Sequence, residues 1–170
     1  VIHKLDCKAV RKPWTTLFAS NNAFAWPFDA EIKGGAVFFP TQGYHLTRRQ
    51  FAAITEAARC TGEESFNLSV VEGVNLEFLQ RDCWHWRLVR PSYEEYSKLT
   101  LPLENAIYSE AGTWGVIVSH ECHATVGGSL EFIQAVNDAY GGFAADLKGL
   151  RAEWSGNPRG DWLAEVVRHL

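Results

Sequence analysis

The sharpest cluster of chemically capable side chains is Ser119-His-Glu-Cys-His123. Its two histidines stand three residues apart. The HExxH spacing of zinc proteases instead sets them at i and i+4 on one helix face. The surroundings are rich in β-branched residues. A two-residue turn at Glu121-Cys122 would make His120 and His123 cross-strand neighbours on one sheet face. A second pair, Cys83 and His85 in Cys-Trp-His-Trp86, shares a strand face by the two-residue period. Cys83, His85, His120 and His123 together have the donor types of a tetrahedral zinc site. Glu121 has the chemistry of a general base for such a hydrolase, although on a regular strand it would face away from His120. The competing reading is structural. Histidine and glutamate are ordinary at an exposed hairpin tip, and cysteine behaves as a small core residue.

Other chemistries have less to work with. Ser119 and His120 form no nucleophilic dyad, because neighbours on a strand point to opposite faces, and there is no GxSxG elbow. A thiol nucleophile at Cys83 or Cys122 requires surroundings that lower its pKa. Neither GxxxxGK(S/T) nor GxGxxG occurs. The double glycines at 34–35, 127–128 and 141–142 read as points where strands turn and helices begin or end. Gly127-Gly128-Ser129 precedes a helix and has no Lys or Arg beside it to complete an anion site. Glu63-Glu64 and Glu94-Glu95 are adjacent pairs, and read as acidic surface rather than an acid–base couple. Trp84 and Trp86 share one strand face. They are core if buried, and interface anchors if exposed.

The elements that must position these residues are partly legible. Residues 23–39 suggest two short strands turning at Gly34-Gly35. Thr47 and Gln50 have the form of a capping box, with Phe51, Ile54 and Ala58 at helical spacing and Gly62 beyond, which predicts a helix over 48–61. Strands are predicted at 65–72, 74–79 and 83–89, and a short helix over 93–99 behind a Ser92/Glu95 capping box. Residues 105–110, 113–119 and 123–126 read as a meander closed by Gly127-Gly128. Ser129 then caps a helix with Ile133, Val136 and Tyr140 on one face. A further helix spans 144–154, and Asp161 caps a last one carrying Leu163, Val166, Val167 and Leu170. Hairpins mixed with helices, rather than regular βαβ units, predict an α+β fold: a single domain over 1–170 with helices packed on an antiparallel sheet of five to seven strands.

Composition narrows the function classes. The 170 residues are 46% hydrophobic and 21% charged, which excludes disorder as the main state. A net charge of −4 argues against a general nucleic-acid binder. No apolar run approaches 20 residues, so no membrane span is expected. The four cysteines form no CxxC pair, and the N-terminal residues lack a signal-peptide apolar region; reduced thiols in the cytoplasm are the expectation. Seven tryptophans and ten phenylalanines supply a large aromatic payload for a core or an interface.

Residues 107–133 carry a family resemblance. Trp114-Gly115 in a strand, then Ser119, Glu121 and Ala124, then Gly127-Gly128 and a helix opening with Phe132-Ile133, resemble a pattern of small bacterial immunity-type proteins and their actinobacterial relatives. The resemblance implies a non-enzymatic protein that binds and occludes a cognate toxin. It carries no binding residues over. The acidic balance suits a basic partner such as a nuclease, because complementary charge speeds encounter. Under this reading the contact candidates are His120, Glu121 and His123 at the hairpin tip, with Glu63, Glu64, Glu94 and Glu95 as further acidic surface, and no cofactor is expected. Two alternatives stand beside it. One is the zinc hydrolase built on the His120/His123 hairpin. The other is a small-ligand binding domain with an aromatic pocket.

Overall fold

The protein is described by a computed structural model over residues 1–71, 77–80 and 84–170. It contains one antiparallel sheet of seven strands, ordered β1 (Ile2–Lys4), β4 (His85–Val89), β3 (Ser65–Val70), β5 (Asn105–Ser109), β6 (Trp114–Val118), β7 (Ala124–Gly128) and β2 (Gly34–Phe38). Among the described residues six α-helices accompany it: α1 (Cys7–Leu17), α2 (Arg48–Cys60), α3 (Tyr93–Tyr96), α4 (Leu130–Tyr140), α5 (Phe143–Trp154) and α6 (Asp161–Val167). The α+β class with an antiparallel sheet is as predicted. No helix among the described residues is long and apolar enough to cross a membrane.

Two-residue alternation divides the side chains of the central strands between two layers. Phe66, Leu68, Val70, Ile107, Trp114, Val116, Val118, Ala124 and Val126 join the apolar faces of α2 and α4 in the larger core. On the other face Ala106, Tyr108 and Ile117 pack against Val10, Trp14, Leu17 and Phe18 of α1 and its exit. A third cluster joins Val37 of β2 to Leu150 of α5 and to Leu163 and Val166 of α6, so the last two helices cover the β2 end of the sheet.

The helix starts are set locally, as their cap residues predict. Thr47 and Gln50 exchange both bonds of a capping box, as do Ser92 and Glu95, and the Ser129 hydroxyl accepts from the Phe132 N–H. Gly62 takes positive φ just past α2, and Gly141 ends α4 in the left-handed region.

Several expectations change. Helix α1 has no counterpart in the sequence reading. Asp6 caps it by accepting from the Lys8 and Ala9 N–H groups, and Val10, Trp14 and Leu17 bury its face although Pro13 lies inside. Of the strand expected over 74–79, residues 74–76 lie outside the described residues and Glu77–Gln80 form a turn of 3-10 helix. Asp161 is the first residue of α6 rather than its cap, and Leu170 is exposed, so the last apolar stripe ends at Val166 and Val167.

The glycine pairs are the largest correction. Gly34-Gly35 is not a turn but opens β2, whereas Gly127-Gly128 ends β7 just before the Ser129 cap of α4, as read, and both pairs lie within the sheet ladder. Gly35 pairs with Gly127, and Gly127 with Gly115, so three glycines form one row across β2, β7 and β6. A Cβ on Gly127 would meet the Phe28 ring at 2.5 Å, one on Gly115 would meet Leu17 at 2.6 Å, and one on Gly35 would meet Trp26 at 2.6 Å. The row is a bare floor for rings. Trp26, Phe28, Phe18 and Trp14 follow one another across it, with centroids 5.0, 5.2 and 4.2 Å apart. Phe18, Trp26 and Phe28 are seated at this row, and the Ala23 carbonyl bonded to His123 places Ala23 and Phe24 at the β6–β7 hairpin.

Candidate functional site

The β6–β7 hairpin closes through a loop of three residues, not two. The Ser119 N–H donates to the His123 carbonyl at 2.9 Å, continuing the Val118–Ala124 pairing, and His120, Glu121 and Cys122 make the turn. Cys122 adopts φ +57°, the left-handed residue that a three-residue hairpin requires. His123 therefore faces Ser119, and His120 has no cross-strand imidazole. The expected pairing of the two histidines on one face does not form.

Their environments differ accordingly. His123 is fully buried. Its Nε2–H donates to the Ala23 carbonyl at 3.0 Å, and its ring stacks on Trp162 of α6 at 4.6 Å. Burial holds its pKa below the ordinary imidazole value, opposed by the bond to Ala23. His120 is half exposed. Its Nδ1 lies 2.8 Å from the largely buried Glu104 carboxylate, and its Nε2 lies 3.6 Å from the neighbouring Glu121 carboxylate. Each histidine ring contacts Phe24 at 5.3 Å.

His85 is elsewhere. It is buried on β4, with Nδ1 2.8 Å from the Ser69 hydroxyl, which in turn meets the Tyr108 hydroxyl at 2.8 Å. Strands β3 and β5 separate β4 from β6. Three inter-strand steps put the β4 and β6 backbones about 14 Å apart, whereas zinc holds its nitrogen donors at about 2.1 Å. His85 therefore does not join His120 and His123, and Cys83 lies outside the described residues. No group of three or more metal-ligating side chains occurs among the described residues.

The acidic candidates do not form one surface with the hairpin. Val70 is level with Asn105 and Val118 near the hairpin, while Phe66 pairs with Ser109, so Glu63 and Glu64 precede β3 at the opposite end of the sheet. There Glu63 serves the fold. Its Oε1 accepts from the Ser109 and Thr113 hydroxyls and from Trp114 Nε1–H, at 3.0, 3.2 and 3.0 Å. Glu64 pairs with Arg90, and Glu94 pairs with Arg48, whose guanidinium also lies over the Tyr93 ring. Glu95 accepts from the Ser92 N–H in its capping box.

Around the hairpin tip two adjoining cavities open. One, of about 480 Å³, is lined by Phe39, Pro40, His120, Glu121, Cys122, Glu153, Trp154, Asn157 and Arg159. The other, of about 360 Å³, is lined by Phe24, His120, Glu121, Trp154, Arg159 and Trp162. They share His120, Glu121, Trp154 and Arg159, and so make one groove between the hairpin tip and the α5–α6 connection. Both volumes fall in the range of ligand sites.

Local turns aim the groove residues. The Asn22 side chain accepts from the Phe24 N–H at 2.9 Å. The Asn157 side chain accepts from the Arg159 N–H at 2.9 Å, and the Asn157 carbonyl accepts from the Gly160 N–H. The Thr41 N–H donates to the Cys122 carbonyl at 2.8 Å, tying the 39–41 segment to the tip. The buried Asp146 carboxylate accepts from the Phe39 N–H at 3.0 Å and from the Tyr140 hydroxyl at 2.7 Å, which fastens α5 to the end of β2. Burial raises the Asp146 pKa, and these two bonds oppose the rise.

Of the residues singled out by sequence, the groove takes His120, Glu121 and Cys122 at its wall and His123 beneath, stacked on Trp162. Phe24, Glu104, Glu153, Trp154, Arg159 and Trp162 were not anticipated. Residues 157–160 read only as a loop, and nothing local ties Phe24 to residues 130 positions later. Compared with protein-family models, with curated proteins and with solved structures, the chain matches none.

Proposed function

We propose that this chain is a non-enzymatic binding protein of the immunity type, which neutralises a cognate bacterial toxin by occluding it, and that the groove at the β6–β7 hairpin is its contact site. The observation that carries the reading is the groove itself. It is open and is lined by aromatic rings, by the carboxylates of Glu121 and Glu153, and by His120 and Arg159. Interface centres favour aromatic anchors with a polar rim. The segment that resembles immunity-type proteins, 107–133, folds as β5, β6, β7 and the start of α4, and its tip supplies one wall of the groove. The net charge of −4 suits a basic partner such as a nuclease.

The test is co-expression with the product of the neighbouring reading frame. That product is expected to arrest growth alone and to be neutralised by this chain. A harmless neighbour, or arrest that persists with this chain present, overturns the reading. The aromatic lining of the smaller cavity also favours a small-ligand domain. That reading expects a rise in melting temperature with a small molecule and no effect on the neighbour's toxicity.

A further inference from the structure

Three rings in the smaller cavity pack edge to face, two of the pairs nearly at right angles. Trp154 and Trp162 meet at 5.3 Å and 86°, Phe24 and Trp162 at 5.4 Å and 89°, and Phe24 and Trp154 at 6.2 Å and 63°. All three are half-buried, so each is seated in the fold while still lining the opening. They form an aromatic corner. Glu121 and His120 line the same cavity, with His120 Nε2 3.6 Å from the Glu121 carboxylate, and Glu153 lines the adjoining one. His123 stacks on Trp162, and the His120 and His123 rings meet Phe24; a cation entering the cavity would meet the negative ring surface that is left together with the Glu121 carboxylate, and both attract the same charge.

We propose that this corner is a subsite for a guanidinium group, and that its occupant is an arginine side chain on a basic loop of the bound partner. This rests on the binding role proposed above. A guanidinium is favoured over an ammonium because its flat face stacks on an indole while its N–H fork reaches a carboxylate. Arg159 also lines the cavity and opposes an incoming cation. It thereby supplies an internal control: removing its charge should strengthen the site for a cation and weaken it for an anion.

The experiment is an NMR titration of the ¹⁵N-labelled chain with N-acetyl-arginine amide, following the Trp154 and Trp162 indole N–H signals. Trp154→Phe and Trp162→Phe assign these signals and keep the packing. The expected result is a saturable shift of both signals, with dissociation in the millimolar range for so small a probe. Affinity should fall about tenfold in Glu121→Gln and rise in Arg159→Gln. N-acetyl-citrulline amide, the neutral isostere, should leave the signals in place. No saturable shift, or an equal response to the citrulline probe, overturns the subsite. So does a response to N-acetyl-glutamate that is lost in Arg159→Gln, which would make Arg159 an anion receptor. Co-expression separates this from the wider reading. If the native chain rescues growth and Glu121→Gln rescues it equally well, the subsite is wrong and occlusion stands. If the native chain gives no rescue while the arginine probe binds, occlusion is wrong and the cation site stands.

Discussion

Replacing Gly127 with alanine tests how the sheet positions the segment that carries Phe24. The new Cβ would stand 2.5, 2.6 and 2.7 Å from three carbons of the Phe28 ring. Carbon atoms rest at about 3.5–4.0 Å, so the ring must retreat by about 1 Å. It has little room, because Phe28 is 3% exposed and lies between Trp26 at 5.0 Å and Phe18 at 5.2 Å. Overpacking of this kind costs about 2–3 kcal/mol, and relief of the glycine's entropy penalty in a strand returns about 0.5–1 kcal/mol. The net loss is then about 1–2.5 kcal/mol, which lowers the melting temperature of a chain this size by about 2–10 °C. The assay is urea denaturation of the native chain, Gly127→Ala, Phe28→Leu and the double variant. Phe28→Leu leaves space beside the new methyl, so the double variant should be more stable than additivity predicts by about 1 kcal/mol. A neutral Gly127→Ala, or a cycle that closes within about 0.3 kcal/mol, would refute the claim that the glycine row exists to admit the rings.

Four further outcomes follow from the structure. His123 and His45 both have pKa values lowered by burial, so the unfolded chain takes up protons at these sites first as pH falls. Stability should be fully present above about pH 6.5 and decline below it, by at most about 1.4 kcal/mol per pH unit for each proton. Denaturation of the native chain and His123→Gln between pH 5 and 8 should show a shallower slope in the variant. Glu63→Ala strips the acceptor shared by Ser109, Thr113 and Trp114. It should cost about 2–3 kcal/mol in chemical denaturation, well beyond a surface substitution. Asp146→Leu leaves the Phe39 N–H and the Tyr140 hydroxyl without their acceptor, and should cost about 2 kcal/mol and speed amide exchange at Phe39. Incubation with EDTA should leave the melting temperature unchanged, because no three metal-ligating side chains come together among the described residues. A fall of several degrees would restore the zinc reading.

Taken by itself, the sequence determined the elements whose signals lie within a few residues of one another. Thr47 with Gln50, Ser92 with Glu95, and Ser129 before Phe132 are caps whose donors and acceptors sit in one helical turn. The alternation in 65–70 and the β-branched and aromatic residues of 105–109 and 114–118 commit those residues to strands, because a period of two divides their side chains between the two faces of the sheet. The α+β class follows from those elements. What the tertiary structure decided is whatever depends on distant partners. Gly35 and Gly127 look like turn or boundary residues in isolation and Gly115 like a lone strand glycine, and only their register across three strands reveals a row that rings fill. One residue more in the hairpin loop sent His123 under Trp162 and left His120 outside. The groove draws on Phe24, Phe39, His120, Trp154 and Arg159, whose mutual placement is set by sheet order and by buried bonds such as Asp146 to Phe39, with no periodicity along the chain to record it.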